Sequence, residues 1–382
     1  MKRRIFNDDH EQFRKVVAGY IAREVVPQFP RWLEDELVPR DAFRGLAELG
    51  VMGFYIPEQY GGSGDVGYTY SVVLGEETAN ALVHFGPLRT HMDVVLPYLL
   101  SYANEEQRQR WFPRIVTGDL LLAIAMTEPG TGSDLAGITT TARRDGDEYV
   151  INGAKTFITG GIVADLVLVV ARTSREENDR RAGLSLIAVA ANTPGFEKGR
   201  KLDKLGLALQ DTAELSFNEV RVPAANLLGE EGKAFSYLSH NLAGERLSIG
   251  VGAVCAAKSA LTITIEYVKD RQVFGQPVSA FQNTKFELAA VATDIEAAQS
   301  MLDRAIVEYE NGELTPVDAA KVKLFCSELQ GRVMDRCLQL FGGYGYMMEY
   351  PIARLYADAR VTRIFGGTNE VQKTIISKSL GL

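Results

Sequence analysis

Apolar residues in the first third of the chain recur at helical spacing. The apolar positions between Phe13 and Ile21 fall at i, i+3, i+4, i+7 and i+8, which places them on one face of a helix. These patterns predict an all-helical N-terminal domain, to which we assign residues 1–122. The same spacing predicts further helices over residues 40–49, 69–82 and 96–102.

The hydrophobic pattern changes to short β-rich runs after Ala125. Residues 139–144 and 148–151 flank Asp145-Gly146-Asp147, which predicts a β-hairpin, and Asn152-Gly153 predicts a second hairpin turn. Together these runs predict a β domain, a barrel or a sandwich, over residues 123–229. The other β-rich runs are residues 166–171, 184–189 and 214–222.

Long helical segments return after Gly232. Asn311-Gly312 predicts the end of one helix, and Thr315-Pro316-Val317-Asp318 predicts the capped start of the next. Gly342-Gly343 predicts where that helix ends. Long helices with short connections indicate an antiparallel four-helix bundle over residues 230–382. The predicted fold class is therefore a multidomain α+β protein, with helical, β and helical domains in that order.

Composition restricts the classes of function. Lys and Arg number 41 against 49 Asp and Glu, and a net charge of −8 gives no support for binding nucleic acid or an anionic membrane. The three cysteines and four histidines lack metal-ligand spacing, so we expect no metal site, and the cysteines suit a reducing compartment. We find no targeting signal and no apolar stretch that approaches membrane-spanning length, which predicts a cytoplasmic protein.

Two glycine-rich segments are candidate ligand loops. Gly62-Ser-Gly64-Asp-Val-Gly67 matches the dinucleotide pattern G-x-G-x-x-G, but Pro57 interrupts its approach and a helical pattern follows, so we predict a loop between helices. The segment from Ala125 to Asp134 follows an apolar run. Its glycines allow close approach to a ligand, and its three hydroxyl side chains donate and accept hydrogen bonds. A plain turn at the end of a strand is the alternative.

Four segments together resemble the acyl-CoA dehydrogenase family. They are the segment Ala125–Asp134, Lys155-Thr-Phe-Ile-Thr159, Asp270-Arg-Gln-Val-Phe-Gly-Gln276 and Phe365-Gly-Gly-Thr-Asn-Glu370. They occur in the family's order over nearly the whole chain. The resemblance implies an FAD-dependent enzyme that converts an acyl-CoA to the trans-2-enoyl-CoA and passes electrons to electron-transfer flavoprotein. It also implies a homo-oligomer, usually a tetramer.

The resemblance implies a set of residues that bind FAD. Thr127 would contact the isoalloxazine edge, Phe157 would lie against the ring where many members have Trp, and Thr159 would bond near N5. Arg271 would reach the pyrophosphate of a neighbouring subunit's FAD, to which a guanidinium is suited by charge and geometry. Taken alone, Phe157 would fit a core position and Arg271 a surface ion pair. The other FAD residues implied are Met126, Ser133, Phe274, Gln282, Gln339, Gly342, Gly343, Thr368, Asn369 and Glu370.

The resemblance also implies the catalytic and substrate-binding residues. Much of the family carries its catalytic glutamate just before a Gly-Thr pair near the C-terminus, but that position is Gly366 here. Long-chain and isovaleryl-type members instead carry the base in a Glu-Arg-Leu context, which Glu245 matches, so we predict Glu245 as the base. An ion pair on the surface of a helix is the alternative for Glu245. The backbone N–H of Gly366 would stabilise the thioester carbonyl. The substrate residues implied are Ser133, Ser236, Arg246, Gly366 and Gly367.

The predicted substrate is a straight acyl chain of medium to long length. The segment Tyr344–Ala353 looks most similar to long-chain members, and the glycines at 366 and 367 leave volume. A short branched acyl-CoA is the alternative substrate. A flavin oxidase or monooxygenase on the same fold, or a protein that binds acyl-CoA without catalysis, is the alternative function.

Overall fold

The N-terminal part of the chain is helical, as predicted. The computed structural model describes all 382 residues. Asn7 and Asn104 begin two of the helices, and each accepts a hydrogen bond from a backbone N–H three residues on, as N-cap residues do. Val16 is 53% exposed and lies outside the buried stripe that its spacing predicted. The helices are α1 (Asp8–Tyr20), α2 (Phe29–Asp35), α3 (Arg40–Glu48), α4 (Tyr68–Asn80), α5 (Leu96–Tyr102) and α6 (Glu105–Val116).

The middle part forms one mixed sheet of eight strands. The sheet order is β6-β7-β3-β2-β4-β5-β8, with β1 parallel to β4. The predicted hairpin joins β2 to β3 through the pair Asp145 and Glu148. A single pair, Thr141 and Arg172, connects the two halves of the sheet. The strands are β1 (Leu122–Ala125), β2 (Thr141–Asp145), β3 (Glu148–Thr159), β4 (Leu166–Arg172), β5 (Leu184–Ala190), β6 (Phe196–Lys201), β7 (Thr212–Pro223) and β8 (Leu227–Leu228).

Two predictions for this sheet were wrong or incomplete. Asn152-Gly153 does not form a hairpin turn, because β3 continues through it with a shift in register against β7. Gly153 adopts φ 151°, and a Cβ there would lie 2.5 Å from the Thr140 hydroxyl, so the glycine serves a bulge and a close backbone approach. The strand β6 was missed because its polar residues occupy the edge of the sheet, where no alternation is required.

The C-terminal part returns to long helices. Thr315 caps α9, its hydroxyl accepting from the Asp318 N–H at 3.1 Å, as its sequence predicted. The three long helices α7, α8 and α9 pack against one another, and α10 and α11 pack on α9. The helices are α7 (Ala234–Asp270), α8 (Gln282–Glu310), α9 (Pro316–Leu340), α10 (Pro351–Ala359) and α11 (Asn369–Ser379), and a short hairpin of β9 (Gln272–Val273) and β10 (Gln276–Pro277) precedes α8.

Helix α7 corrects the expectation that no apolar segment approaches membrane-spanning length. Its 37 residues include an 18-residue window with a mean hydropathy of 1.5, so length and composition would allow it to cross a membrane. The core helix of a soluble protein passes the same test. Helix α7 packs against α4, α8, α9 and α10 and carries the buried charged residues Glu245 and Arg246.

Candidate active site

The loop after β1 is fastened to strand β3. The Thr156 N–H donates to the Thr127 carbonyl at 2.9 Å. The Lys155 ammonium donates to the Met126 carbonyl at 3.0 Å. The structure therefore brings together Met126 and Thr127 with the segment that carries Phe157 and Thr159.

A buried ion pair that the sequence analysis missed holds this junction. Lys155 Nζ lies 2.9 Å from Glu128 Oε1, and both side chains are buried. Burial favours the neutral acid, but hydrogen bonds from Thr139 and Thr140 and the charge of Lys155 outweigh it and lower the pKa of Glu128 to about 2. Burial lowers the pKa of Lys155 to about 8 in spite of Glu128. Both residues lie inside the family motifs, and their charge in otherwise buried surroundings was the available signal.

The side chain of Phe157 points outwards in an unusual backbone conformation. It is 68% exposed and has φ 58°, at the irregularity in the pairing of β3 with β7. This exposure excludes the interpretation of Phe157 as a core residue. A non-glycine residue in the left-handed region persists only where its surroundings impose it, which is common at ligand sites. The half-buried Thr159 hydroxyl next to it accepts from Gln210 Nε2 at 3.4 Å.

A pocket lies between the loop that carries Ser133 and the first turns of α7. Its volume is about 250 Å³, and Ser133 faces Leu238 and Leu242 across it. Leu238, Leu242 and Glu245 follow one another at i, i+4 and i+7, so they share one face of α7. The face of α7 that lines the pocket therefore also carries Glu245, about one turn further along the helix. Ser236 lies outside this face, exposed, with its hydroxyl donating to the Lys233 carbonyl.

Glu245 is a buried carboxylate with one hydrogen-bond donor. The Tyr98 hydroxyl, on α5, donates to Glu245 Oε1 at 3.1 Å, and both side chains are buried. Burial raises the pKa of Glu245 to about 7, although Tyr98 and the charge of Arg246 act to lower it. The burial of Glu245 excludes the alternative of a surface ion pair. A carboxylate with a pKa near neutral is suited to accept a proton from a weak carbon acid. No local sequence pattern indicates Tyr98.

Arg246 is a buried guanidinium without a partner in the chain. Its side chain forms no hydrogen bond or ion pair, and Nε is among the buried polar atoms that lack a partner. Burial lowers its pKa, while Glu245 acts to raise it. An unpaired buried cation is costly, so this position is suited to an anionic or strongly polar ligand.

Gly366 and Gly367 approach the helix that carries Glu245. They have φ 62° and 84°, and a Cβ on Gly366 would collide with Ile249 Cδ1, one turn beyond Glu245. The fully buried Lys323 donates to the Gly367 carbonyl at 2.9 Å and to Asn369 Oδ1 at 2.7 Å. The Asn369 amide nitrogen donates to Glu328 Oε1 at 2.8 Å, so both ends of this amide have hydrogen-bond partners within the chain. The structure thus brings the Gly366 backbone beside α7, as the predicted site requires.

The remaining predicted residues lie at two further places. The Thr368 hydroxyl accepts from the Val371 N–H at the start of α11, and Glu370 is exposed next to it. The Arg271 guanidinium lies 5.4 Å from the ring centroid of Tyr344, which joins the β9–β10 hairpin to the turn after α9. No ion pair engages Arg271. The exposed residues around this contact are Phe274, Gln282, Gln339, Gly342 and Gly343.

Comparison with known proteins shows the family. Three family models match in order: the N-terminal domain of acyl-CoA dehydrogenase over residues 7–119, the middle domain over 123–220 and the C-terminal domain over 232–381. The chain is 42% identical to the mitochondrial long-chain specific acyl-CoA dehydrogenase of Sus scrofa, covering 99% of this chain and 88% of that protein. It is 36% identical to the mitochondrial isobutyryl-CoA dehydrogenase of Dictyostelium discoideum, over 98% and 89%. A crystal structure of acyl-CoA dehydrogenase from Geobacillus kaustophilus superimposes with a TM-score of 0.96 at 44% identity, covering all of both chains.

The fold and the matches define an oxidoreductase that acts on acyl thioesters. The chain belongs to the acyl-CoA dehydrogenase family, and its cofactor is FAD. The residues present fit that cofactor: Phe157 offers an exposed aromatic face beside the Thr159 hydroxyl, and Gly130 and Gly132 have open space around them. Bound FAD supplies the acceptor for the hydride that leaves the acyl chain.

Proposed function

We propose that this enzyme dehydrogenates acyl-CoA thioesters of medium to long chain length, with Glu245 as the base. The observation that carries the proposal is the buried Glu245 carboxylate, which has a pKa of about 7 and accepts one hydrogen bond, from Tyr98. Glu245 lies on the face of α7 between the pocket and the approach of Gly366 to Ile249. Glu245 takes the proton from Cα. The Gly366 N–H donates to the thioester oxygen as negative charge develops there, which backbone donors do without reorganising.

Chain length, the electron acceptor and the location belong to the same proposal. The 42% identity to a long-chain enzyme supports a medium-to-long straight chain, with a short branched chain as the alternative supported by the isobutyryl relative. Electrons pass to electron-transfer flavoprotein. We propose a cytoplasmic location, which suits the three free cysteines.

We propose a homo-oligomer, a tetramer, in which Arg271 and its neighbours serve the FAD of another subunit. Phe274 is 96% exposed on the β9–β10 hairpin, and such a side chain is favoured in contact with protein rather than water. Arg271 has no carboxylate partner within its own chain, which leaves its guanidinium free for a phosphate. Both observations agree with a contact between copies of this chain.

The proposed reaction is tested by the visible spectrum of the purified holoenzyme during anaerobic addition of acyl-CoA thioesters. We expect bleaching of the flavin absorbance by straight chains of medium and long length. A higher kcat/KM for isovaleryl-CoA or isobutyryl-CoA would contradict the proposed chain length. Rapid reoxidation of the reduced, product-bound enzyme by air would identify an oxidase, and a colourless protein would contradict the function altogether.

Replacing Tyr98 by phenylalanine tests the environment of the base. The Tyr98 hydroxyl bonds to the charged form of Glu245 and so lowers its pKa. Its loss should raise the pKa, so the pH profile of flavin reduction, which rises as Glu245 loses its proton, should move to higher pH. The matched control is Tyr102→Phe on the same helix, whose ring stacks on Tyr237, because the hydrogen bond to Glu245 comes from Tyr98. An unchanged pH profile in Tyr98→Phe would contradict the assignment.

A further inference from the structure

A cluster of polar side chains lies beside the catalytic helix, between α4, α7 and the segment before α5. Arg89 Nη2 donates to the Ser248 carbonyl at 2.6 Å and to its hydroxyl at 2.8 Å. The Ser248 hydroxyl donates to Asp93 Oδ2 at 2.7 Å, and Arg89 lies 3.5 Å from the same oxygen. The Tyr68 hydroxyl lies within reach of the charges of Asp93 and Arg89. We call Tyr68, Arg89, Asp93 and Ser248 the polar nest.

The polar nest has a buried donor without an acceptor. Tyr68 is buried, and its hydroxyl has no hydrogen-bond partner. Arg89 Nη1 forms no hydrogen bond, and its nearest surroundings include Gly252, where a Cβ would lie 3.0 Å away. The Arg89 side chain keeps 38% of its surface exposed although it reaches between two core helices. Buried polar groups in native proteins are nearly always paired, so the Tyr68 hydroxyl indicates a missing acceptor, and the partly exposed Arg89 beside it can meet the same ligand.

The position of the polar nest relative to Glu245 places that acceptor on the acyl chain. Tyr98 meets Glu245, Asp93 meets Ser248, and Arg89 reaches Gly252, so the two segments run alongside each other. At a rise of about 1.5 Å per residue, the nest begins about 5 Å from the base along α7 and extends to about 10 Å. The Tyr309 hydroxyl lies against Gly244, and its ring contacts that of Tyr68, which continues the polar surface up to the base.

The charge balance of the polar nest selects the kind of acceptor. The positive charge of Arg89 is already matched by Asp93, so a carboxylate on the ligand would meet the Asp93 charge without a free cation to offset it. A hydroxyl group accepts from Tyr68 or Arg89 and can donate to Asp93. A plain alkyl chain would leave the Tyr68 hydroxyl unpaired, which a site built for hydrogen bonding disfavours.

We propose that the polar nest binds a neutral oxygen-bearing group, a hydroxyl or a carbonyl, on the acyl chain distal to the thioester. The inference rests on the proposed function, because it requires the thioester to lie at Glu245. It narrows the substrate from any medium-to-long acyl-CoA to one that is oxygenated along its chain.

The test compares octanoyl-CoA with its ω-carboxy derivative and with its hydroxy and keto derivatives, substituted one carbon at a time from the middle of the chain to its end. The measurement is the rate of anaerobic flavin bleaching in the holoenzyme. We expect at least one oxygenated thioester to have a kcat/KM about tenfold or more above octanoyl-CoA. Tyr68→Phe removes only the unpartnered hydroxyl and should reduce that preference severalfold. The matched control is Tyr70→Phe on the same helix, whose ring packs on Phe13 and Phe54 outside the nest.

The outcomes separate this inference from the proposed function. If octanoyl-CoA bleaches the flavin at least as well as every derivative, and Tyr68→Phe changes no ratio, the polar nest does not recognise oxygen and the proposed function stands. If the ω-carboxy thioester is preferred over the hydroxy and keto derivatives, the charge argument is wrong and the inference falls. If no thioester bleaches the flavin, the proposed function fails and the inference with it.

Discussion

Replacing Glu245 by glutamine is expected to leave a folded yellow holoenzyme whose flavin acyl-CoA no longer reduces at an appreciable rate. Glutamine keeps the shape of the side chain and can still accept from Tyr98, but it cannot take the proton from Cα. Removal of a general base costs about a hundredfold to ten-thousandfold in rate. The measurement is stopped-flow bleaching under anaerobic conditions at saturating thioester. Bleaching at near the wild-type rate would show that Glu245 is not the base.

The stability of the same variant provides its control. The pKa of Glu245 is raised to about 7 in the folded protein, so the folded state holds its proton more tightly than the unfolded state. Stability from this group is therefore lost as pH rises from about 4.5 to about 7. Glu245→Gln lacks this loss, and its Tm at pH 8 should equal or exceed that of the wild type. The matched activity control is Glu230→Gln, an exposed carboxylate just before α7.

A glutamate at position 366 is not expected to rescue the Glu245→Gln variant. Gly366 has φ 62°, which strains any other residue, and a Cβ there would collide with Ile249 Cδ1. The two positions are thus not interchangeable without movement of the loop or of Ile249. Bleaching of the flavin in the double variant by acyl-CoA would show that the loop or Ile249 moves enough to accept the glutamate side chain.

The order of the domains could be predicted from the sequence because local periodicity determines it. Turn residues were less reliable: Asn311-Gly312 does end α8, but Asn152-Gly153 lies inside β3, where pairing with β7 overrides the local preference. Glu245 could be chosen as a candidate because it lies in a local Glu-Arg-Leu context. Its partner Tyr98 lies 147 positions away on another helix, and no local pattern indicates which tyrosine meets Glu245.

The polar nest and the Glu128–Lys155 pair escaped prediction for the same physical reason. Arg89 and Ser248 are 159 positions apart, and their contact depends on how α7 packs against the N-terminal helices. Lys155 is 27 positions from Glu128, and a sequence read alone treats each as an ordinary surface charge. Charges that become buried in pairs are recognisable only when the packing that buries them is known.

Replacing Lys155 by methionine is expected to destabilise the β domain strongly and to weaken retention of FAD. The substitution leaves the Glu128 carboxylate buried without its cation, and breaking a buried pair in this way costs about 3–5 kcal/mol. It also frees the Met126 carbonyl and so loosens the loop that precedes Thr127. The measurements are denaturant unfolding of the holoenzyme and the fraction of FAD that survives gel filtration.

The charge argument makes a sharper claim about the double variant Lys155→Met, Glu128→Gln. Because the second substitution removes the uncompensated charge, the double variant should regain part of the stability that Lys155→Met loses. The pKa of Glu128 is lowered to about 2, so its contribution to the free energy of unfolding is complete above about pH 4.5 and is lost as pH falls toward 2. The free energies of unfolding of the wild type and Lys155→Met should therefore converge in acid. Arg304→Met, which breaks an exposed pair with Glu308, should change the stability little, because solvent screens such a pair. A loss in Lys155→Met no larger than in that control would mean that the junction is held by Thr156 and Thr127 alone.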